Sequence, residues 1–152
     1  MDFLFECELR SSPEALFRFH ENPAHLVLLS DKPNRVRLLR HAGNVHPGSE
    51  TWVEQRIGPL PIVLGFQHVL YEPPRRFGEE LIHGPFKRFV HIHEFVPHQA
   101  GCIVRDLLEI NLPHWLGGEP MMHAIVRAQV HKAFRYRHRA YLHLEKEGRF
   151  GS

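Results

Sequence analysis

This chain encodes one α+β domain in which an antiparallel sheet is followed by a single long C-terminal helix. Three features lead there. Residues 84–95 alternate so that Phe89, His91, His93 and Phe95 fall on one face of a strand, because successive strand side chains point to opposite sides. Between residues 50 and 112, further alternating segments follow one another across short Gly- and Pro-bearing turns, and strands joined that way form an antiparallel meander. Residues 121–145 contain neither Pro nor Gly, which leaves about six to seven uninterrupted helical turns.

In chain order, Phe3, Phe5, Cys7 and Leu9 alternate with Asp2, Glu6, Glu8 and Arg10, Leu4 being the exception, and make a first strand with one buried face. Ser11-Ser12-Pro13-Glu14 ends it and starts a helix. Ser12 as N-cap places Pro13 at the first helical position, whereas Ser11 as N-cap makes Glu14 its capping-box partner. Ala15, Leu16 and Phe19, joined by Phe17, form the apolar side. Asn22-Pro23 interrupts this helix before a second short one over residues 24–29. Residues 30–34 read as a turn, 35–40 as a short strand and 41–48 as a loop. Thr51, Val53, Gln55 and Ile57 alternate with Glu50, Trp52, Glu54 and Arg56 in a third strand. Gly58-Pro59-Leu60-Pro61 then turns the chain into a fourth, over 62–72. Pro73-Pro74-Arg75-Arg76 precedes a fifth over 77–82, His83-Gly84-Pro85 a sixth, and residues 97–101 a seventh over 102–112. Residues 113–120 read as a Gly-rich loop ahead of the long helix. The domain is set at residues 1–145, with 146–152 as a C-terminal tail.

Composition limits the class of function. With 152 residues, 43% of them hydrophobic, the chain builds one core and has no room for a second domain. A net charge of +2 falls short of the clustered excess of a nucleic-acid binder. Fourteen histidines are the larger electrostatic fact, since an unperturbed imidazole titrates near pH 6.5 and acidification can add many charges at once. Cys7 and Cys102 belong to no zinc or C-x-x-C pattern and read as reduced thiols of a cytoplasmic protein. The N-terminus has no secretory pattern, and no apolar run reaches the roughly 20 residues of a membrane span.

Several pieces have a family pattern: Ser12-Pro13-Glu14 with Phe17 and His20, Gly58-Pro59, Tyr71-Glu72-Pro73-Pro74 with Phe77, Gly84-Pro85-Phe86, His91-x-His93-x-Phe95, Asp106, and Phe134-x-Tyr136-Arg137. In order and spacing they span nearly the whole chain, which resembles the SRPBCC superfamily (START-like, birch-pollen-allergen-like) and, within it, a bacterial polyketide-cyclase/dehydrase-like subgroup. That resemblance implies the helix-grip fold, a curved seven-stranded sheet wrapped around the last helix with a cavity between them. It does not imply one reaction, because the superfamily includes lipid carriers, hormone receptors, quinone-binding proteins and a few cyclases. It also implies that the first and seventh strands pair, which brings Cys7 and Cys102 toward each other; free thiols are still expected.

Two imidazoles bracketed by two phenyl rings suit the wall of a semi-polar cavity, so Phe89, His91, His93 and Phe95 are the first candidates for ligand contact. His91 and His93 can also converge on a metal, but a metal needs three or four ligands, and the sequence offers only Asp106 and His68 nearby; no metal and no cofactor are expected. Face matching across a turn near Gln99 lets Asp106 face His91 or His93, giving a candidate acid/base pair. On the long helix, Met122, Ile125, Val126, Val130, Ala133, Tyr136, Ala140 and Leu144 form an apolar face that also holds Gln129 and Arg137. A guanidinium there needs Asp106, another carboxylate or an anionic ligand group, unless it reaches water at the cavity mouth. The opposite face carries Arg127, His131, Lys132, Arg135, His138 and Arg139, a solvated stripe that leaves peripheral contact with an anionic membrane open.

The expected function is binding of a small, mostly hydrophobic or amphipathic molecule as carrier, sensor or accessory, through Phe89, His91, His93, Phe95, Met122, Arg137 and His68. Cyclisation or dehydration of a polyketide-like substrate by His91 or His93 with Asp106 is the alternative, and a protein-interaction module is a third. The protein is expected as monomer or homodimer, without nucleic acid.

Overall fold

The computed structural model describes residues 1–30, 35–57, 59–117 and 120–151. Strand β1 (Asp2–Leu9) leads into helix α1 (Pro13–His20) and a 3-10 helix (Pro23–Leu29). Six strands follow, β2 (Val36–His41), β3 (Glu50–Ile57), β4 (Leu60–Glu72), β5 (Arg76–His83), β6 (Arg88–His98) and β7 (Gly101–Asn111), then the short α2 (His114–Gly117) and the long α3 (Pro120–Lys146). All neighbouring strands are antiparallel in the order β1-β7-β6-β5-β4-β3-β2. This is the helix-grip arrangement, a curved sheet with α3 against its inner face.

Local chemistry explains most element boundaries. Ser12 caps α1, its Oγ accepting from Ala15 N at 3.2 Å, with Pro13 at the first turn. Ser11 is unavailable for that role because its N–H and hydroxyl both donate to Glu145 Oε1 on α3, at 2.7 and 2.8 Å. The second short helix is 3-10 rather than α, opened by Asn22 Oδ1 accepting from Ala24 N at 3.0 Å. Strand β6 begins at Arg88, later than the alternation suggested, and runs on to His98, leaving only Gln99 and Ala100 to turn the chain. The expected 113–120 loop contains α2; the expected turn at 30–34 falls mainly outside the described residues, as does Gly58, and β4 starts at Leu60, inside the turn expected over Gly58-Pro59-Leu60-Pro61.

The interior has two halves of different character. Around α1 it is solid: Cys7, Leu9, Leu16, Phe17, Phe77, Phe95, Val104, Tyr141 and Leu144 form one continuous apolar cluster. Phe150 belongs to that cluster, so the segment set apart as a tail completes the core. A Schellman turn brings it there: Arg149 N donates to Leu144 O at 2.9 Å and Gly148 N to Glu145 O at 2.9 Å, with Gly148 at φ 69°. Toward the N-terminal half of α3, by contrast, sheet and helix separate. Leu108 and Ile110 with Phe89, Val126, Val130 and Phe134, and Val53, Leu64 and Phe66 on the far strands, line the space between them.

Candidate functional site

The space is a cavity of about 380 Å³. Its wall is aliphatic and aromatic, from Val53, Ile62, Leu64, Phe66, Phe86 and Phe89 on the sheet side to Met122, Val126 and Val130 on α3. Its polar residues include Thr51, Glu79, His91, Gln129 and Arg137. A smaller chamber of about 50 Å³ lies behind it, toward the 3-10 helix, lined by His20, His68 and His93 and sharing Thr51, Glu79 and Arg137 with the large cavity. A separate cleft of about 310 Å³ opens between β1 and α3 and reaches Asp106 and Arg137 from the other side.

Strand register assembles the polar partition. His68 on β4 faces Glu79 on β5, which faces His91 on β6; one step on, Phe77 faces His93, which faces Asp106 on β7. Asp106 is the hub. Its Oδ1 accepts from His91 Nε2 at 2.8 Å and lies 2.8 Å from His93 Nδ1, while Arg137 Nε on α3 stands 3.6 Å from Oδ2. Burial alone would raise the Asp106 pKa, but the Arg137 charge and the two imidazole N–H groups outweigh it and hold the carboxyl well below its ordinary value.

A second chain of bonds ties this hub to α1. His20 Nδ1 is 2.7 Å from the Leu16 carbonyl and must carry the proton, which leaves Nε2 to accept from the Tyr141 hydroxyl at 2.6 Å. Arg137 Nε donates to Tyr141 in turn, at 3.3 Å. Burial, and then the Arg137 charge, pushes His20 down to about 3. His93 also falls well below its usual value, through burial first and the neighbouring His91 second, and burial lowers His68. The one buried side-chain polar atom without a hydrogen bond among the described residues is His68 Nδ1, whose ring bonds Thr51 Oγ1 through Nε2 at 3.1 Å.

The candidates from sequence separate along β6. Phe89 and His91 line the large cavity, as do Met122 and Arg137. His93 and His68 line the small chamber instead. Phe95, 1% exposed, packs against Phe17 and Phe77 in the solid core and faces neither space. Tyr136, placed on the inner face by its helical angle, is only half-buried; Tyr141, one turn beyond Arg137, takes the interior position. Cys7 and Cys102 are both free and buried, with Cys7 opposite Val104 and Cys102 opposite Leu9.

Sequence reasoning missed Glu79 and Tyr141. Glu79 had a signal: it sits between Phe77 and Leu81 on the inward side of an alternating strand, where a carboxylate is anomalous. It also supplies the third group absent from the metal argument, since one ligand atom each of Glu79, His91 and His93 lie within 4.8 Å of one another. Tyr141 was marked only by its i+4 spacing from Arg137.

Among the described residues, no helix is long and apolar enough to cross a membrane. Comparison with known structures finds the same architecture at low identity. Protein NE0264 from Nitrosomonas europaea superposes with a TM-score of 0.72 at 13% identity, covering 98% of this chain and 96% of that one. Protein Ms6760 from Mycobacterium smegmatis gives 0.70 at 11% identity, covering 96% and 91%. A major latex-like protein from Panax ginseng gives 0.61 at 11%, covering 91% and 97%. No curated protein sequence matches the chain. The model of polyketide cyclases, dehydrases and lipid transport proteins does match, over residues 10–134. With the helix-grip sheet and the cavity beneath its long helix, that match across most of the chain identifies the protein as a member of the polyketide cyclase / dehydrase and lipid transport family, of SRPBCC type.

Proposed function

We propose that the protein binds one small, largely hydrophobic molecule between the sheet and α3, as a carrier, sensor or accessory. The observation that carries this reading is the 380 Å³ cavity, apolar over most of its wall and polar at its inner end, the usual composition of a small-molecule site. Phe89, Met122, Val126 and Val130 supply apolar contact; His91, Glu79 and Arg137 meet the polar end. The buried thiols suit a cytoplasmic setting, and neither a cofactor nor nucleic acid enters the reading. Native mass spectrometry of freshly purified protein tests it. The expected result is a non-covalent small-molecule adduct, absent from Val126→Trp and from Ala133→Phe, each of which fills the cavity. Wild-type protein that carries no adduct and fails to bind an apolar fluorescent probe would refute the reading.

A second reading has its own observation. His91, on the cavity wall, is hydrogen-bonded through Nε2 to Asp106 at 2.8 Å, which leaves Nδ1 as the ring nitrogen that would act as a base. In cyclisation or dehydration of a carbonyl substrate, His91 would take a proton at Nδ1 while Asp106 stabilises the resulting imidazolium. Turnover lost in Asp106→Asn, with ligand affinity retained, would favour this enzyme over a carrier.

A further inference from the structure

The charges at the inner end of the cavity do not balance, and the imbalance has a location. Arg137 is the buried cation of the partition, and it is already engaged by Asp106 at 3.6 Å and Tyr141 at 3.3 Å. Asp106 is saturated by Arg137, His91 and His93. Glu79 is different. The two basic side chains paired with it are His68, Nε2 at 3.7 Å, and His91, Nδ1 at 3.8 Å, both beyond hydrogen-bond reach, and no N–H or O–H among the described residues donates to it. His91 spends its Nε2 on Asp106, and its Nδ1 stands too far from Glu79 Oε1 for a hydrogen bond, so the ring gives this carboxylate no donor contact. Glu79 is therefore an acceptor without a donor at the point where the large cavity meets the small chamber.

We propose that this end of the cavity selects a ligand whose polar head donates a hydrogen bond, an alcoholic, phenolic or enolic hydroxyl, and discriminates against a carboxylate head. A ligand reaching this depth displaces solvent from Glu79 and must replace the hydrogen bonds it removes. A hydroxyl has one hydrogen to give, and Glu79 is the acceptor without one. A carboxylate has none, and adds a second negative charge beside the half-buried Glu79 at a depth where a bound ligand displaces the remaining solvent. Arg137 cannot rescue it without leaving Asp106. The other cations along the cavity, Arg35, Arg56 and Lys132, include two exposed side chains at its solvent side; a carboxylate held there leaves its apolar tail against Glu79, which is also unfavourable.

This inference rests on the cavity being the ligand site, and the test separates the two. Affinities of 1-decanol, decanoate and decylamine are measured by probe displacement and calorimetry on wild type, Glu79→Gln and Val126→Trp. The expected wild-type result is decanol bound about tenfold or more tightly than decanoate, a difference of about 1.4 kcal/mol. Glu79→Gln, of the same size and able to donate, should weaken decanol and shrink that ratio to about threefold or less; Val126→Trp should lose both probes. Decanoate as the tighter wild-type ligand, or a ratio unchanged in Glu79→Gln, overturns the head-group assignment and leaves the cavity reading intact. Failure of all three probes on wild type overturns the cavity reading itself. Decylamine above decanol, or stoichiometric binding of zinc alone that Glu79→Gln abolishes, assigns Glu79 to a cation and overturns the hydroxyl.

Discussion

The site turns on which groups are allowed to hold charge. Asp106 stays ionised because a guanidinium and two imidazole N–H groups surround it, whereas His20 and His93 stay neutral because burial leaves no room for another cation beside Arg137. The sign of the resulting pH dependence is fixed. In the unfolded chain these imidazoles take up a proton near pH 6.5; in the fold they do not, His20 holding out to about 3. Their contribution to stability is therefore complete above about pH 6.5 and declines as pH falls below it, down to the folded values, with Asp106 adding to the loss only below its ordinary 3.8. Each ring costs roughly 1 kcal/mol by about pH 5.5, so Tm should drop by about 5 °C or more from pH 7.5 to 5.5. Calorimetric melts across that range check it, and a flat Tm would remove the assignment of these rings as buried and neutral. At this scale the sequence was partly legible. His91, His93, Asp106 and Arg137 were visible because each is a polar residue on an apolar face; Glu79 carried the same mark and was missed, and its role comes from facing His91 across a strand pair 12 residues apart in sequence.

The elements owe their ends to a few side chains, and the last of them is less peripheral than its position suggests. After the Schellman turn at Gly148, Phe150 packs edge-on against Phe19, ring centroids 4.9 Å apart, and is 6% exposed. Truncating it leaves a void in the solid half of the core. Phe150→Ala should cost about 3 kcal/mol, read as a lower urea midpoint with an unchanged slope. An effect below about 0.5 kcal/mol would mean that the segment does not belong to the core. The pairing of β1 with β7 shows the same tightness: a Cβ on Gly101 would run into the Leu9 carbonyl, so the two strands close there only over a glycine. The long helix was legible from an unbroken run without Pro or Gly, and each strand from its alternation. The 3-10 geometry of Pro23–Leu29 and the α2 turn were not, since both depend on local capping and on packing that short apolar runs do not specify.

Across the whole molecule, one half is packed solid and the other is held open, and the polar partition lies at their boundary. That division predicts a ligand response. Saturation of the cavity with 1-decanol at about 100 times its Kd should stabilise the fold by about 2.7 kcal/mol and raise Tm by about 5–10 °C, an effect that Val126→Trp abolishes. A wild-type Tm that does not move at saturating decanol would place binding outside the folded cavity.

The amino-acid order by itself determined the α+β class, the seven strands, the long helix and the anomalous polar residues, because alternation, helical period and turn chemistry are properties of neighbours in the chain. Only the tertiary structure decided that Phe89 and His91 face a cavity while Phe95, on the same strand face, lies in solid core, and that Glu79 stands there without a donor. Both depend on how far α3 sits from the sheet at each rung and on which strands lie side by side. Those distances belong to the packed molecule and have no counterpart in any local stretch of sequence.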